Sequence, residues 1–480
     1  MPEPVLNVAA MRAREERTWA SGVTPESVIR RAGAAVARVA QRWTRVDDPV
    51  LVLAGCGNNG EDAAVADQHL ADRDTLLLRF QDPQAFGAAR AWLGEHRGRA
   101  RALVIDGLFG IGLNRPVEGP WRELVEAVNE AGVRVLAVDV PSGLNADTGD
   151  VMGVAIEAAV TVTLGAVKTG LLREEAARQV GRLELAGDIG LTGGDEGGDA
   201  WWVMVSDFEG YPPRRPVGGH KGEYGHVAVV AGSVGYHGAA VLAARGAMRA
   251  RPGRVTVYTD EGCYGPVAGQ LSGAMVRPWR GGALDDERYD AWVLGPGLAS
   301  TGLSPAVREE VCRIWATASG VVVVDASALD WLPSGPLGVG AGRRVVTPHP
   351  GEAGRLLGMD AGAVQSDREG AVRRLAGRWG GGGVEVVLKG RHTRIGGETG
   401  PMWINSTGNP GLAQGGSGDV LAGYLGGLLA QPGLRGEFRK AVAYGVWRHG
   451  AAADGLEGRG RAWTVEELVE ALGEAVETDG

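Results

Sequence analysis

An α/β fold in two domains, built on doubly wound parallel sheets, is predicted by three features of the chain. Apolar runs of strand length alternate with helical patterns along most of its 480 residues. Short glycine-rich turns stand just after several of those runs. One stretch, 187–219, interrupts the rhythm before it resumes.

Taken in order, residues 50–54 (V-L-V-L-A) read as a buried strand, and 75–78, 102–105 and 133–138 read alike. Residues 121–130 form a helix between two of them. The stretch 187–219 carries G-G-D-E-G-G-D and P-P-R-R-P-V-G-G around a short strand at 201–205, and reads as a linker. The boundary falls near residue 210, giving domains 1–209 and 210–480. Beyond it, 226–231, 254–258, 291–294, 320–325, 343–347 and 384–388 are strands. A last helix starts at Thr464, where T-V-E-E has the form of a capping box.

Composition narrows the function. Gly is common at 80 residues, and with 23 Pro it predicts many tight turns without the excess expected of a disordered chain. The net charge is −9 and no basic stripe appears, so nucleic acid is not a main partner. Lysine occurs only as Lys168, Lys221, Lys389 and Lys440, and two of these four lie in motif-like strings. Cys56, Cys263 and Cys312 lie far apart with no CxxC, which fits a reducing compartment, the cytoplasm. No signal-peptide core and no apolar run near ~18 residues appear, so no membrane segment is expected.

The most informative string is N-S-T-G-N-P-G-L-A-Q-G-G-S-G-D-V-L-A-G, residues 405–423. Gly415, Gly416 and Gly418 crowd a turn that opens a helix at Val420. Free amides there, with the helix dipole, make an anion hole suited to a phosphoryl group. Asp419 at its lip is placed to take a proton from an attacking hydroxyl. Its alternative duty is a helix N-cap.

T-P-H-P-G-E follows a strand, setting His349 and Glu352 at the sheet edge where α/β proteins bind ligands. Glu352 could hold Mg²⁺ through water, and His349 could contact substrate. Turn formation alone would also explain the string. L-K-G-R-H-T places Lys389 and Thr393 at another strand end; a solvated strand end is an equal reading for Lys389, and the favoured one for His392. Gly232-Ser233, Gly238-Ala239-Ala240 and Gly295-Pro296-Gly297 add small-residue turns that admit a flat ligand.

In the first half, G-C-G-N-N-G-E-D (55–62) follows its strand as a phosphate-cradling turn, without the regular GxGxxG of redox dinucleotide sites. Asp106 and Asp139 end two further strands, followed by F-G-I-G-L-N-R-P (109–116) and P-S-G-L-N (141–145). Oxygens of Asn59, Asp106 and Ser142 could converge on a hard cation; turn and cap duty is the equal alternative.

With these strings in hand, the second half resembles the ribokinase-like superfamily, in its ADP/ATP-dependent NAD(P)H-hydrate dehydratase branch. The strings are H-K-G-E-Y-G, G-P-G-L, T-P-H-P-G-E, V-L-K-G and N-P-G-L-A-Q-G-G-S-G-D-V-L-A-G, across most of 218–455. The resemblance implies small-molecule substrates, hydrated NADH or NADPH, with ADP as phosphate donor; the fold supports a homo-oligomer, and Mg²⁺ is the cofactor expected at Glu352. The resemblance assigns the hydrate to Ala239, Gly297, His349 and Asp419, with Asp419 catalytic. It assigns the adenine nucleotide to Lys389, Gly390, Arg391, His392, Thr393 and Gly418, beside the Gly415–Gly416 turn. D-A-S at 325–327 departs from the branch's D-A-D.

The first half, over about 8–190, resembles the Rossmann-like NAD(P)H-hydrate epimerase domain, through D-G-L-F-G-I-G-L-N-R-P and V-D-V-P-S-G-L-N-A-D-T-G. That implies interconversion of R and S hydrates. It assigns K⁺ to Asn59, Asp106 and Ser142. It assigns the hydrate to Asn58, Asn59, Gly60, Glu61, Asp62, Gly110, Ile111, Gly112, Leu113, Asn114, Arg115, Pro116 and Asp139, with Asp139 as an acid/base group. The chain reads N-N-G-E-D-A where the family reads N-N-G-G-D-G. A Glu61 carboxylate ~5 Å from a phosphate would cost roughly 3 kcal/mol at an effective dielectric near ~20, and little if it faces solvent. A small-molecule kinase, and a dehydratase carrying a non-catalytic first domain, are the two rival readings.

Overall fold

The computed structural model describes residues 2–82, 84–193, 198–284, 289–338, 340–380 and 382–474. These form two compact units, Glu3–Trp202 and Val203–Gly480.

The N-terminal unit holds a six-stranded sheet in the order Asp74–Arg79, Pro49–Ala54, Leu103–Gly107, Arg134–Val138, Val160–Leu164, Arg182–Ala186, all parallel. Strand residues alternate between two apolar layers. Val50, Val52 and Ile105 pack with Val28 and Val36 of the helix Pro25–Trp43, while Leu51, Leu53 and Val104 pack with Trp92 and Leu124 on the other face. Burial on both faces explains why these strands read as continuous apolar runs. Chain order reverses between Pro49–Ala54 and Leu103–Gly107, which opens a crevice at their C-terminal ends.

The strand expected at 201–205 is Ala200–Val203. It is not an isolated strand in a linker: it pairs antiparallel with Glu3–Leu6, Glu3 opposite Trp202. Residues 194–197 of the G-G-D-E-G-G-D string lie outside the described residues.

The C-terminal unit holds the sheet Met275–Trp279, Arg254–Asp260, His226–Val230, Ala291–Leu294, Val321–Val324, Arg344–Val346, Val384–Leu388, Arg394–Gly396, Met402–Asn405. The first seven run parallel and the last two antiparallel. The reversal here lies between His226–Val230 and Ala291–Leu294. Thr464 caps the helix Val465–Ala471 with both bonds of the capping box, as its sequence predicts. No helix among the described residues is long and apolar enough to cross a membrane.

Two helices set the second crevice. His237–Arg249 and Ser417–Leu429 approach backbone to backbone: a Cβ on Gly423 would sit 1.8 Å from the Ala243 carbonyl oxygen. That contact holds the start of Ser417–Leu429 beside the reversal point. Gly423→Ala therefore forces the helices apart, and a loss of ~2 kcal/mol is expected. A denaturation midpoint that does not fall would contradict this packing.

Candidate functional site

In the C-terminal unit the strand ends deliver charge to one edge. Val321–Val324 leads to Asp325, Arg344–Val346 leads to His349, and Val384–Leu388 leads to Lys389. Lys389 Nζ lies 2.6 Å from Asp325 Oδ1 and 3.9 Å from Glu352 Oε2. Both carboxylates are buried. Lys389 is thus no solvated strand end. Burial opposes its charge, but Asp325, Glu352 and Asp419 outweigh that and raise its pKa.

The glycine turn closes over this cluster. A Cβ on Gly418 would lie 3.3 Å from Lys389 Nζ and 3.4 Å from Asp325 Oδ2. Asp419 follows in the first turn of Ser417–Leu429. Burial, then the charge of Asp325, push its carboxyl up; Lys389 pulls it down and Glu352 adds to the rise, leaving it at about 7. A carboxyl poised there takes up and releases a proton readily near neutrality.

The cap position belongs to Gly416, not to Asp419. Gly416 has φ +98°, and a side chain on it would strike Leu242 at 2.5 Å. Among the described residues, no acceptor is bonded to the amides of Gly415, Gly416, Gly418 or Asp419. Unpaired N–H groups and a helix dipole of this kind suit an anion beside the carboxyl. His449 braces the turn from behind, with Nε2 3.0 Å from the Ser417 carbonyl oxygen. Burial lowers the His449 pKa to about 4, so the ring is neutral and Nε2–H donates.

His349 caps the helix Pro350–Leu357. Its Nδ1 accepts from the amides of Gly351 at 3.0 Å and Glu352 at 3.3 Å, while Glu352 Oε2 accepts from the His349 amide at 2.8 Å. The turn duty read from T-P-H-P-G-E is real, and Glu352 combines it with its place beside Lys389. The imidazole remains about half exposed at the crevice, 53%.

Ser233 joins the two loops at the reversal point. Its hydroxyl donates to the Gly297 carbonyl at 2.7 Å and accepts from the amides of Ala299 and Ser300. Gly297 lies against Ala239, where a Cβ would come within 2.8 Å of the alanine methyl. In the 389–393 turn, Thr393 Oγ1 donates to the Gly390 carbonyl at 3.1 Å. Burial, then Arg391, Arg394 and Arg368, depress the His392 pKa well below the usual value, so its ring is neutral.

The N-terminal unit gathers a second set. Asp106 is fully buried and accepts from Ser142 Oγ at 2.6 Å, the Ser142 amide at 2.8 Å and the Leu108 amide at 3.2 Å. Burial raises its pKa to about 6, against the pull of those bonds. Asn59 Nδ2 donates to the Phe109 carbonyl at 3.0 Å, and Ser142 Oγ contacts the same oxygen at 3.3 Å. Asn59 Oδ1 is buried without a donor. Three strand ends thus bring the oxygens of Asn59, Asp106, Ser142 and Phe109 together. Turn duty accounts for the Asp106 bond to Leu108, but not for the bare oxygen of Asn59. Gly110 lies against Asn59 and leads the 110–116 loop past it.

Asp139 adopts φ +64°, rare for a residue with a side chain. It pairs with Lys168, whose side chain is fully buried. Asp62 is buried nearby and faces both. Glu61 turns outward: its carboxylate forks onto Arg79 at 2.8 and 3.4 Å and is half exposed. The repulsion expected of a Glu61 aimed at a phosphate therefore does not apply to this arrangement. Sequence reasoning assigned no role to Asp325, Lys168 or His449. Asp325 ends an apolar run and could have been found by the rule that picked out Asp106 and Asp139. Nothing local marks His449.

A family model described as NAD(P)H-hydrate dehydratase matches residues 227–472. A second, described as YjeF-related protein N-terminus, matches 25–81 and 79–170. The bifunctional NAD(P)H-hydrate repair enzyme of Gloeobacter violaceus is 37% identical over 508 residues, covering 98% of this chain and 96% of its own length. The enzyme of the same name from Escherichia coli is 33% identical, covering 93% and 88%. A Bacillus subtilis ADP/ATP-dependent NAD(P)H-hydrate dehydratase, co-crystallised with ATP/Mg²⁺, is 32% identical with a TM-score of 0.48, over 54% of this chain and 91% of that one.

Lys389 is the cation that restrains the Asp419 carboxyl. Lys389→Met should move the Asp419 titration midpoint above about 7, read by carboxyl NMR. An unmoved midpoint would show that the ammonium does not act on it.

Proposed function

The chain belongs to the family of bifunctional NAD(P)H-hydrate repair enzymes, and we propose how its residues divide that work. The enzyme interconverts R and S forms of hydrated NADH or NADPH and dehydrates the hydrate to the reduced dinucleotide. In our reading, 1–209 carry the epimerase and 210–480 the dehydratase.

The observation that carries the dehydratase reading is the Asp419 carboxyl, pushed up to about 7 by burial and Asp325, beside helix-start amides with no acceptor among the described residues. Hydroxide leaves carbon poorly and phosphate leaves it well. Asp419 takes the proton of the C6 hydroxyl as that oxygen attacks the β-phosphorus of ADP. The new P–O bond forms as the bond to AMP breaks. Phosphate then leaves C6 while a proton leaves C5, and the C5=C6 bond returns. The amides of Gly415, Gly416 and Gly418 stabilise charge on the moving phosphoryl group. Ala239, Gly297 and His349 line the hydrate. Lys389 to Thr393, with Gly418, line the nucleotide.

Glu352 fits a water-mediated Mg²⁺ contact, since Oε2 already serves the His349 amide and Lys389. Bound there, the ion would neutralise phosphate charge. Asn59, Asp106 and Ser142 fit K⁺: one oxygen lacks a donor, and no side-chain cation faces the buried carboxylate among the described residues. The ion would balance the Asp106 charge and hold the turns at 59 and 109 together. Asn58 to Asp62 and Gly110 to Pro116 surround the hydrate, and Asp139 exchanges protons at C6. Glu61 contributes backbone rather than carboxylate. The reading places the enzyme in the cytoplasm as a homo-oligomer, in keeping with three free thiols.

Mixed hydrate epimers with ADP should be recovered completely, followed by reduced-nicotinamide absorbance; recovery of one epimer alone would remove the epimerase. Asp419→Asn should slow dehydration by at least ~100-fold, and near-normal turnover would remove Asp419 as the base. Because Asp419 works ionised, kcat/KM should fall as pH drops below about 7; a flat profile would contradict its role. Replacing tetramethylammonium by K⁺ should stabilise the first unit by ~2.7 kcal/mol at ~100-fold over Kd. A shift that survives in Asp106→Ala would place the ion elsewhere.

A further inference from the structure

We propose that Asp62 is the proton donor of epimerisation, acting with Asp139 as a buried acid–base pair. The proposal rests on the epimerase reading above and adds a second catalytic residue to it.

Four ionisable groups meet behind the N-N-G-E-D turn: Glu15, Asp62, Asp139 and Lys168. Three are acids and one is a cation. Lys168 carries three N–H donors, and all are spent. They go to Asp139 Oδ1, to Thr163 Oγ1 at 3.2 Å and to the Leu164 carbonyl at 2.6 Å. Asp139 Oδ1 also accepts from the Leu164 amide at 3.0 Å and lies 3.4 Å from Thr163 Oγ1. This oxygen is surrounded by donors.

Asp62 has the opposite surroundings. It stands in the second turn of Asn58–Gln68 and is 7% exposed. Among the described residues, no donor reaches its carboxyl. The groups that face it are Asp139, Lys168, Glu15 and its neighbour Glu61, which Arg79 holds outward. Arg12 faces Glu15 and offsets part of that charge. A largely buried carboxyl that accepts no donor and faces a second carboxyl favours its protonated form. Burial first and Asp139 second raise its pKa to about 8. One carboxyl that accepts an ammonium and an amide, facing another that accepts no donor, is the asymmetry that acid and base steps at a single pH require.

The hydrate carries its hydroxyl on C6, next to N1. Asp62 gives its proton to that hydroxyl; the C6–O bond breaks, water leaves, and the N1 lone pair forms N1=C6. Water adds to the other face as the N1=C6 electrons return to nitrogen, and Asp139 takes the surplus proton. That proton returns to Asp62 through water, so no atom or charge is gained or lost. The Lys168 ammonium favours the return by stabilising ionised Asp139.

The test follows exchange of purified R hydrate by chromatography, with full-length enzyme. Asp62→Asn mimics the protonated acid in shape and charge, so its melting temperature should match the wild type. It should lower kcat for exchange ~100-fold with KM changed less than ~3-fold, and should leave dehydration of purified S hydrate unchanged. Wild-type kcat/KM for exchange should fall as pH rises through about 8, and Asp62→Glu should restore part of the rate. Retained exchange in Asp62→Asn overturns the proposal and leaves the epimerase reading standing. A loss confined to KM also overturns it, by assigning Asp62 to binding. A wild-type enzyme that does not exchange the epimers overturns both.

Discussion

One buried ammonium per carboxylate cluster is the constraint on which both sites depend. Taking several carboxylates out of water is costly unless a cation compensates them or a proton neutralises one. In the C-terminal unit Lys389 serves Asp325 directly and Glu352 at longer range, so the remaining acid, Asp419, is left near neutrality. In the N-terminal unit Lys168 is consumed by Asp139, Thr163 and Leu164, and Asp62 is left uncompensated. A chain with only four lysines spends two of them in this way. Lys389 follows the strand Val384–Leu388 and the Lys168 ammonium reaches the end of Val160–Leu164, and the chemistry proposed for each site uses the acid that its lysine leaves unpaired.

The backbone supplies the complementary half. In the proposed site the amides of Gly415, Gly416, Gly418 and Asp419, which have no acceptor among the described residues, supply main-chain donors for the phosphoryl group. Gly416 makes that possible by adopting φ +98°, and His449 holds the Ser417 carbonyl on the other side of the turn. Fixed dipoles of this kind stabilise a passing phosphoryl group without reorganising during the reaction. A neutral histidine suits the bracing role, because it offers a donor and adds no positive charge beside Lys389.

Much of this was legible in the sequence. The βαβ rhythm, the glycine turn at 415–418, Asp419 and the Asn59–Asp106–Ser142 set could be read because each lies within a few residues of an apolar run. What escaped depended on distance in the chain. Lys168 meets Asp139 across 29 positions and His449 meets Ser417 across 32. The strand Val160–Leu164 alternates threonine with apolar residues yet is buried throughout, because Thr161 Oγ1 bonds the Val180 carbonyl. The edge strand Met275–Trp279 is mostly exposed and carries a proline, so it gives little apolar signal. The weight attached to Glu61 turned on a side-chain direction, which Arg79, 18 residues on, decides.

The central claim is that Asp419 and the neighbouring amides act on one phosphoryl transfer. A structure of the enzyme with S hydrate and a non-transferable ADP analogue tests it most directly. The account predicts an Asp419 oxygen hydrogen-bonded to the C6 hydroxyl, with the terminal phosphate seated on the amides of the 415–419 turn. A terminal phosphate bound away from that turn, or a C6 hydroxyl out of reach of Asp419, would contradict it.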